Sequence, residues 1–284
     1  LTQTPQMYDN WPGEAVLMTT GNTTAEAEYW AVIAGVSDYA PGSGLQDLQY
    51  TDDDAYDMRD ALLEGSNWHS SHITMLIDEG ASKGDIQQAI EDMGNAGEPD
   101  DVFLFYFSGH GGTVKDMLPF DETDELDEIL CPYDFNPDDP ESAINDDELG
   151  NWLAALPGEP VLVALDTCHS GGMIRQGVVQ SKGIGEGSAA GQGDGFARDL
   201  YGVIDGVVVT ACDDAEASYE DPILQNGVFT YYLVEGLNGA ADANGDDQIS
   251  MEEAFNYAYW RVTGYAPPFS FVITIKLDAV GVTQ

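Results

Sequence analysis

Short, uninterrupted apolar runs constrain this chain more than any other feature. YWAVIAGV (29–36), DVFLFYFSG (101–109), PVLVALD (160–166) and DGVVVTAC (205–212) lack the polar alternation of a half-solvated strand. Runs of this length bounded by turn residues predict strands covered on both faces. HITMLID (72–78) reads as a shorter strand and FSFVITIKL (269–277) as a late, alternating one. Helical patterning separates them. TDDDAYDMRDALLEG (51–65) carries acids in its first turn, where the macrodipole favours them, and ends at Gly65. SKGDIQQAIEDMGN (82–95) has Ser82 as its cap, and NDDELGNWLAAL (145–156) begins with capping acids. GVFTYYLVEGL (227–237) and MEEAFNYAYWRV (251–262) complete the helices. Strands alternating with helices predict an α/β fold, a three-layer sandwich around a mostly parallel sheet. Sites in such sheets lie at the carboxyl ends of strands.

The segment RQGVVQSKGIGEGSAAGQGDGFARD (175–199) breaks this rhythm, being rich in Gly, Ser and Ala. It reads as a flexible exposed loop between a larger front part (29–174) and a smaller back part (200–284). Residues 1–28 are polar and turn-rich and read as an arm along the surface. A chain that opens on Leu1 is expected to have been trimmed, with any signal peptide gone.

Charge narrows the partners. With 52 acids against 8 bases, the net charge is −44. Such a polyanion is repelled by nucleic acid and by anionic membranes, so neither is an expected partner. No apolar run is long enough to span a bilayer. The acids fit a solvated surface adapted to high salt, or cation binding, or both. Export from the cell and the cytoplasm of a salt-adapted cell are both compatible with this composition. Cys131, Cys168 and Cys212 do not make a disulfide framework. Cys131 and Cys212 read as buried small apolar residues.

Two of the apolar runs end in reactive chemistry, FYFSGHGG (105–112) and VALDTCHSGG (163–172). A cysteine nucleophile needs thiolate character and a group that protonates the leaving amine, and histidine suits that task near neutral pH. His169 follows Cys168 directly, but neighbours at a strand end point in opposite directions. His110 occupies the equivalent place at the end of another buried strand. If the two strands are adjacent, His110 and Cys168 share one rim. Glycines flank both and let a substrate backbone approach. The N–H groups of Gly111 and Cys168 would then face a developing oxyanion. A zinc site from Cys168, His169 and His110 has neither a standard ligand spacing nor an evident fourth ligand.

DANGDDQISMEE (242–253) places oxygen ligands in EF-hand order: Asp242, Asn244, Asp246, the Gln248 carbonyl, Ser250 and Glu253. Ile249 fills the apolar eighth place. Asp247 stands at the sixth, where glycine normally makes the turn; aspartate tolerates left-handed backbone better than most residues. The pattern predicts Ca2+ binding, as a structural clip rather than a sensor because it occurs once.

FYFSGHGG and LVALDTCHSGG together resemble the His and Cys motifs of the caspase-like cysteine peptidases, most of all their metacaspase branch. LQDLQYTDDDAYDMRDAL, DELDEILCPYD, INDDELGNWLAALPG, TACDDAEASYE and GVFTYYLVEGL agree in order, so the resemblance runs over residues 29 to 262. It implies a caspase-hemoglobinase-like fold, with 29–174 as large-subunit-like and 200–284 as small-subunit-like. It also implies peptide-bond hydrolysis by a Cys168–His110 dyad. By the same resemblance Asp166 lies in the pocket for the residue before the scissile bond, and Asp54 is the matching second acid. Two carboxylates there prefer Arg or Lys. The alternative for Asp54 is a helix-start acid on a solvated face. The loop 175–199 is where such enzymes are cut during activation, and it holds Arg175, Lys182 and Arg198, three of the eight bases. Self-cleavage after Lys182 or Arg198 is the expectation; the alternative is that exposed loops tolerate bases. A second, activating calcium site would use Asp146 and Asp147, with Asp127 or Asp124. The acid expected after the nucleophile is not evident, and helix-capping is the alternative role for that pair.

The expected function is therefore a monomeric cysteine endopeptidase acting on protein or peptide substrates after Arg or Lys. The alternatives are a catalytically silent caspase-like scaffold that binds peptide or calcium, and a cysteine peptidase that cuts after Asp or Asn.

Overall fold

A computed structural model describes residues 3–20, 27–115, 126–167, 180–181, 200, 202–212 and 218–265. Its strands are β1 (Gln6–Asp9), β2 (Val16–Thr19), β3 (Tyr29–Gly35), β4 (Ile73–Ile77), β5 (Val102–Ser108), β6 (Gly111–Lys115), β7 (Leu126–Leu130), β8 (Ile144–Asn145), β9 (Val161–Asp166), β10 (Gln180–Ser181), β11 (Gly206–Thr210), β12 (Tyr219–Asp221), β13 (Asn226–Gly227) and β14 (Gln248–Ser250). The α-helices are α1 (Thr51–Glu64), α2 (Lys83–Ala96), α3 (Asp146–Ala154), α4 (Val228–Glu235) and α5 (Met251–Thr263).

The main sheet has six strands in the order β1-β11-β9-β5-β3-β4. Every neighbouring pair is parallel except β1 with β11. Successive side chains of a strand point to opposite faces, and the buried runs divide accordingly. Ala31, Ile33, Leu104, Tyr106, Leu162 and Ala164 face one layer with Met58 and Leu62 of α1, Phe229 of α4 and Phe255 of α5. Val32, Ala34, Phe103, Phe105, Phe107 and Val163 face the other with Ile90 of α2 and Leu149 of α3. This is the three-layer α/β sandwich expected from the alternation of strands and helices.

Close approach of α1 to β3 depends on Gly35. A Cβ there would lie 2.8 Å from Ala55 Cβ and closer still to the Thr51 carbonyl. That contact fixes the first turn of α1 above the carboxyl end of the sheet.

Three features differ from the sequence reading. The N-terminal arm is structural: β1 forms an edge of the main sheet, β2 pairs with β14, and Ala15, Leu17 and Met18 join the core. Strands of four residues in a turn-rich segment give too short a pattern to read. DELDEIL and GGTVK form β7 and β6 of a small antiparallel sheet closed by β8, although their acids and glycines disfavour strand. The cap of α3 is Asn145, which closes a reciprocal capping box with Glu148, rather than the acids that follow. Ser82 caps α2 as expected. The strand expected over 269–277 lies outside the described residues.

Candidate active site

β5 and β9 are adjacent and parallel, with Ser108 opposite Asp166. His110 lies two residues beyond the end of β5, and Cys168 two residues beyond the end of β9. Cys168 and His169 lie outside the described residues, so the geometry stands on the His110 side. The N–H, the carbonyl and the ring Nε2 of His110 are each held. Its N–H donates to the Tyr39 hydroxyl at 2.7 Å, and its carbonyl accepts the Cys131 N–H at 2.9 Å. Tyr39 also packs its ring against the imidazole, 5.1 Å between centroids. Nε2 is 2.7 Å from the Gln46 carbonyl. A carbonyl only accepts, so Nε2 carries the proton and Nδ1 is the basic nitrogen of the neutral ring. Gly111 opens β6 and pairs with Leu130, which turns the chain sharply after His110.

Cys131 and Cys212 are buried, as the sequence reading has them. Burial pushes the Cys131 thiol far above its ordinary range, so it is not a reactive thiolate. The Cys212 thiol donates to the Thr167 carbonyl at 3.3 Å, beneath the residue that precedes Cys168.

Asp54 and Asp166 are both fully buried, which removes the solvated-face reading of Asp54. Asp54 accepts from the Ser108 hydroxyl at 2.6 Å and from the Gly227 N–H at 2.6 Å. Asp166 accepts from Ser218 Oγ at 2.5 Å, and from the N–H and hydroxyl of Thr230 at 3.1 and 2.7 Å. The two carboxylates therefore converge on the N-terminus of α4, where Gly227 and Thr230 offer N–H groups the helix cannot use itself. Because the Thr230 proton goes to Asp166, the Tyr106 hydroxyl donates to Thr230 Oγ1, at 2.6 Å. Burial and the two nearby acids hold that phenol well above its ordinary pKa. Ser108, Gly227, Ser218 and Thr230 are uncharged donors to these acids.

The Gln46 carbonyl, Tyr39, Ser108, Ser218 and Thr230 were not singled out from sequence. Only Ser108 left a signal, as the residue before Gly109 and His110. Arg175, Lys182 and Arg198 lie outside the described residues, while Gln180 and Ser181 between them form β10 against β12.

In the EF-hand-like loop, Asp242 accepts from the N–H groups of Gly245, Asp246 and Asp247. Asn244 and Asp246 accept from Asp246 and Gln248 N–H. Asp247 adopts φ +63°, the left-handed turn its position requires. Gln248 and Ile249 lie in β14, and Ser250 caps α5 in a reciprocal box with Glu253. Burial and the neighbouring Glu14, Asp246 and Asp242 raise the Glu253 pKa. The side chains nonetheless serve backbone donors: among the described residues, no three His, Cys, Asp or Glu groups are set to hold a metal ion. The loop backbone thus has the turn a cation site needs, with carboxylates that must swing inward. Asp127 and Asp146 are buried and Asp147 half-buried at the start of α3; Asn145 Nδ2 donates to Asp127 at 3.2 Å. Asp124 lies outside the described residues.

A family model described as the caspase domain matches residues 28–266. Metacaspase-6 of Arabidopsis thaliana is 31% identical over 135 residues, 45% of this chain and 34% of that protein. Metacaspase-7 of the same plant is 29% identical over 162 residues, 55% of this chain and 37% of that one. Metacaspase-1 of Cryptococcus neoformans var. neoformans is 33% identical over 126 residues, 42% of this chain and 27% of that protein. The matched stretch is thus about a third of the length of each of these relatives. A crystal structure of a Geobacter sulfurreducens protein shares the fold, with TM-score 0.55 and 23% identity over 75% of this chain and 83% of that one.

Proposed function

Since this chain belongs to the caspase-domain family, we propose that it is a cysteine endopeptidase that cuts after Arg or Lys, in the manner of the metacaspases it resembles. The Cys168 thiolate attacks the scissile carbonyl carbon, its proton having passed to Nδ1 of His110. The N–H groups of Gly111 and Cys168 receive the oxyanion. The imidazolium then returns its proton to the leaving amine, and water hydrolyses the thioester. The observation that carries this reading is His110, fixed through Nε2 to the Gln46 carbonyl so that Nδ1 is the base, at a rim two residues short of Cys168 on the adjacent strand. The preference for a basic residue is supported by Asp54 and Asp166, two buried carboxylates near the ends of the same strands.

Two further elements belong to the proposal. The enzyme processes itself in the loop 175–199, after Lys182 or Arg198. Ca2+ binds at the 242–253 loop through Asp242, Asn244, Asp246, the Gln248 carbonyl, Ser250 and Glu253, supported by the left-handed Asp247 and the acid pressure on Glu253. There it would supply positive charge that draws those oxygens together.

A panel of fluorogenic peptides ending in Arg, Lys, Asp or Asn, with and without Ca2+, tests the reading on wild type and Cys168→Ala. Cleavage of the Arg and Lys peptides by wild type alone is the expected result. Cleavage only after Asp or Asn overturns the specificity, and no cleavage at all returns the chain to a silent scaffold. Mass spectrometry of the same preparations reads the termini, with cuts after Lys182 or Arg198 expected in wild type and absent from Cys168→Ala.

A further inference from the structure

The loop that orients His110 is closed at its far end by a residue from the other side of the chain. Tyr50 precedes α1, and no side chain of its own caps that helix. The Asp52 N–H of its first turn goes to Ser37 Oγ at 3.1 Å, and the N–H groups just before the helix go to Glu220 of β12, which is itself buried. Its Oε1 accepts the Tyr50 N–H at 2.7 Å and the Gln49 N–H at 3.1 Å, and Oε2 also accepts from Gln49 at 3.1 Å. Three residues before Gln49 stands Gln46, whose carbonyl receives the imidazole Nε2–H. The stretch between is pinned on its near side. Asp47 Oδ1 accepts the Tyr39 N–H at 3.1 Å, and the Leu48 N–H donates to the Ser37 carbonyl at 2.9 Å. Residues 46–50 are therefore a short backbone strut between the imidazole and one carboxylate.

We propose that Glu220 is a positioning residue for catalysis, acting through the 46–50 strut to hold the Gln46 carbonyl, and hence the His110 ring, in place. The proposal rests on the reading of His110 as the general base. β12 is also the strand on which β10, from the segment after the nucleophile, pairs, with Gln180 opposite Glu220. The strut thus meets the post-nucleophile segment at the residue that anchors it.

The geometry separates this role from pocket binding. The Asp54 carboxylate is held by groups other than the Glu220 side chain, the Ser108 hydroxyl and the Gly227 N–H, and the first turn of α1 is also tied down by the Ser37–Asp52 hydrogen bond at 2.6 Å. Loss of the Glu220 anchor should displace the imidazole while leaving the pocket acids where they are. A small misplacement of a catalytic group lowers the rate by about 10- to 100-fold. Glu220→Ala is therefore expected to lower kcat on Arg and Lys peptides by that amount, with KM changed less than about twofold. Glu220→Gln keeps an oxygen at Oε1, the atom that accepts from both Gln49 and Tyr50, and is expected to retain most of the wild-type kcat.

A second measurement is independent of turnover. In the Cys168→Ala chain, the His110 Nε2–H should give a slowly exchanging proton resonance, assigned by its loss in His110→Gln. Glu220→Ala should broaden or abolish it, and Glu220→Gln should keep it. A wild type inactive on every peptide sinks the protease reading, but the resonance still tests the link between Glu220 and His110. If Glu220→Ala does not fold, Glu220→Asp, one methylene too short for the strut, takes its place in both measurements. An unchanged kcat and resonance overturn the proposal. So does a change in KM without kcat, or a Glu220→Gln variant as impaired as Glu220→Ala.

Discussion

Replacing Thr230 by valine removes one oxygen from a fully buried polar network and leaves the shape of the side chain intact. The Thr230 N–H still reaches Asp166. The hydroxyl bond to Asp166 Oδ2 at 2.7 Å is lost, and a hydrogen bond to a charged acceptor contributes about 1.5–3 kcal/mol. The Tyr106 hydroxyl, which donates to that oxygen and is fully buried, loses that acceptor and keeps Ser108 as a side-chain partner; the lost hydrogen bond costs a further ~0.5–1.5 kcal/mol. The added methyl returns about 0.8 kcal/mol of apolar burial. The net expectation is a destabilisation of about 1–4 kcal/mol. It is read from urea unfolding followed by circular dichroism, in the Cys168→Ala background so that self-cleavage does not intervene. The midpoint should fall with the slope unchanged. The network makes a sharper statement about Tyr106→Phe, which removes the hydroxyl that has lost its Thr230 acceptor. The double variant should be more stable than the sum of the single losses predicts, by about 1 kcal/mol or more. A Thr230→Val cost under about 0.5 kcal/mol, or strict additivity with Tyr106→Phe, would refute the network as the anchor of Asp166.

Three other outcomes follow from the same structure. Phe105→Ala, in the centre of β5 and fully buried, should cost about 3–5 kcal/mol in the same unfolding assay. Ca2+ should raise the melting temperature of the Cys168→Ala chain, and Asp242→Ala should abolish that rise, because stabilisation by a ligand requires its site. The pKa of Glu253 is raised in the folded chain by burial and by Glu14, Asp246 and Asp242. Its contribution is therefore fully present below the ordinary glutamate range and lost as pH rises through the raised value. Without Ca2+, Glu253→Gln, which keeps the capping box, should raise the melting temperature at pH 7 and leave it unchanged well below the glutamate range. Equal effects at both pH values would show that charge is not the cause.

Much of this molecule was legible as a string. Continuous apolar runs marked β3, β5, β9 and β11 within a residue or two at each end, because burial on both faces leaves room only for apolar side chains. His110 and Cys168, each flanked by glycines at the end of an apolar run, pointed to the rim where β5 and β9 end side by side. Ser82 was readable as a cap and Asp247 as a left-handed turn, since both are decided by neighbours a few residues away. The tertiary structure alone decided the rest. The Gln46 carbonyl that selects the His110 tautomer carries no sequence signal, because every residue has the same backbone oxygen. Glu220 accepts the Tyr50 N–H from 170 positions away, where no local pattern links acceptor to donor. Asp54 was readable either as a pocket acid by resemblance or as a first-turn acid on a solvated face; the close approach of α1 to β3 at Gly35 and the turn of that carboxylate inward to Ser108 and Gly227 chose between them. Local periodicity fixes which elements form; which polar atoms meet depends on how those elements close over one another.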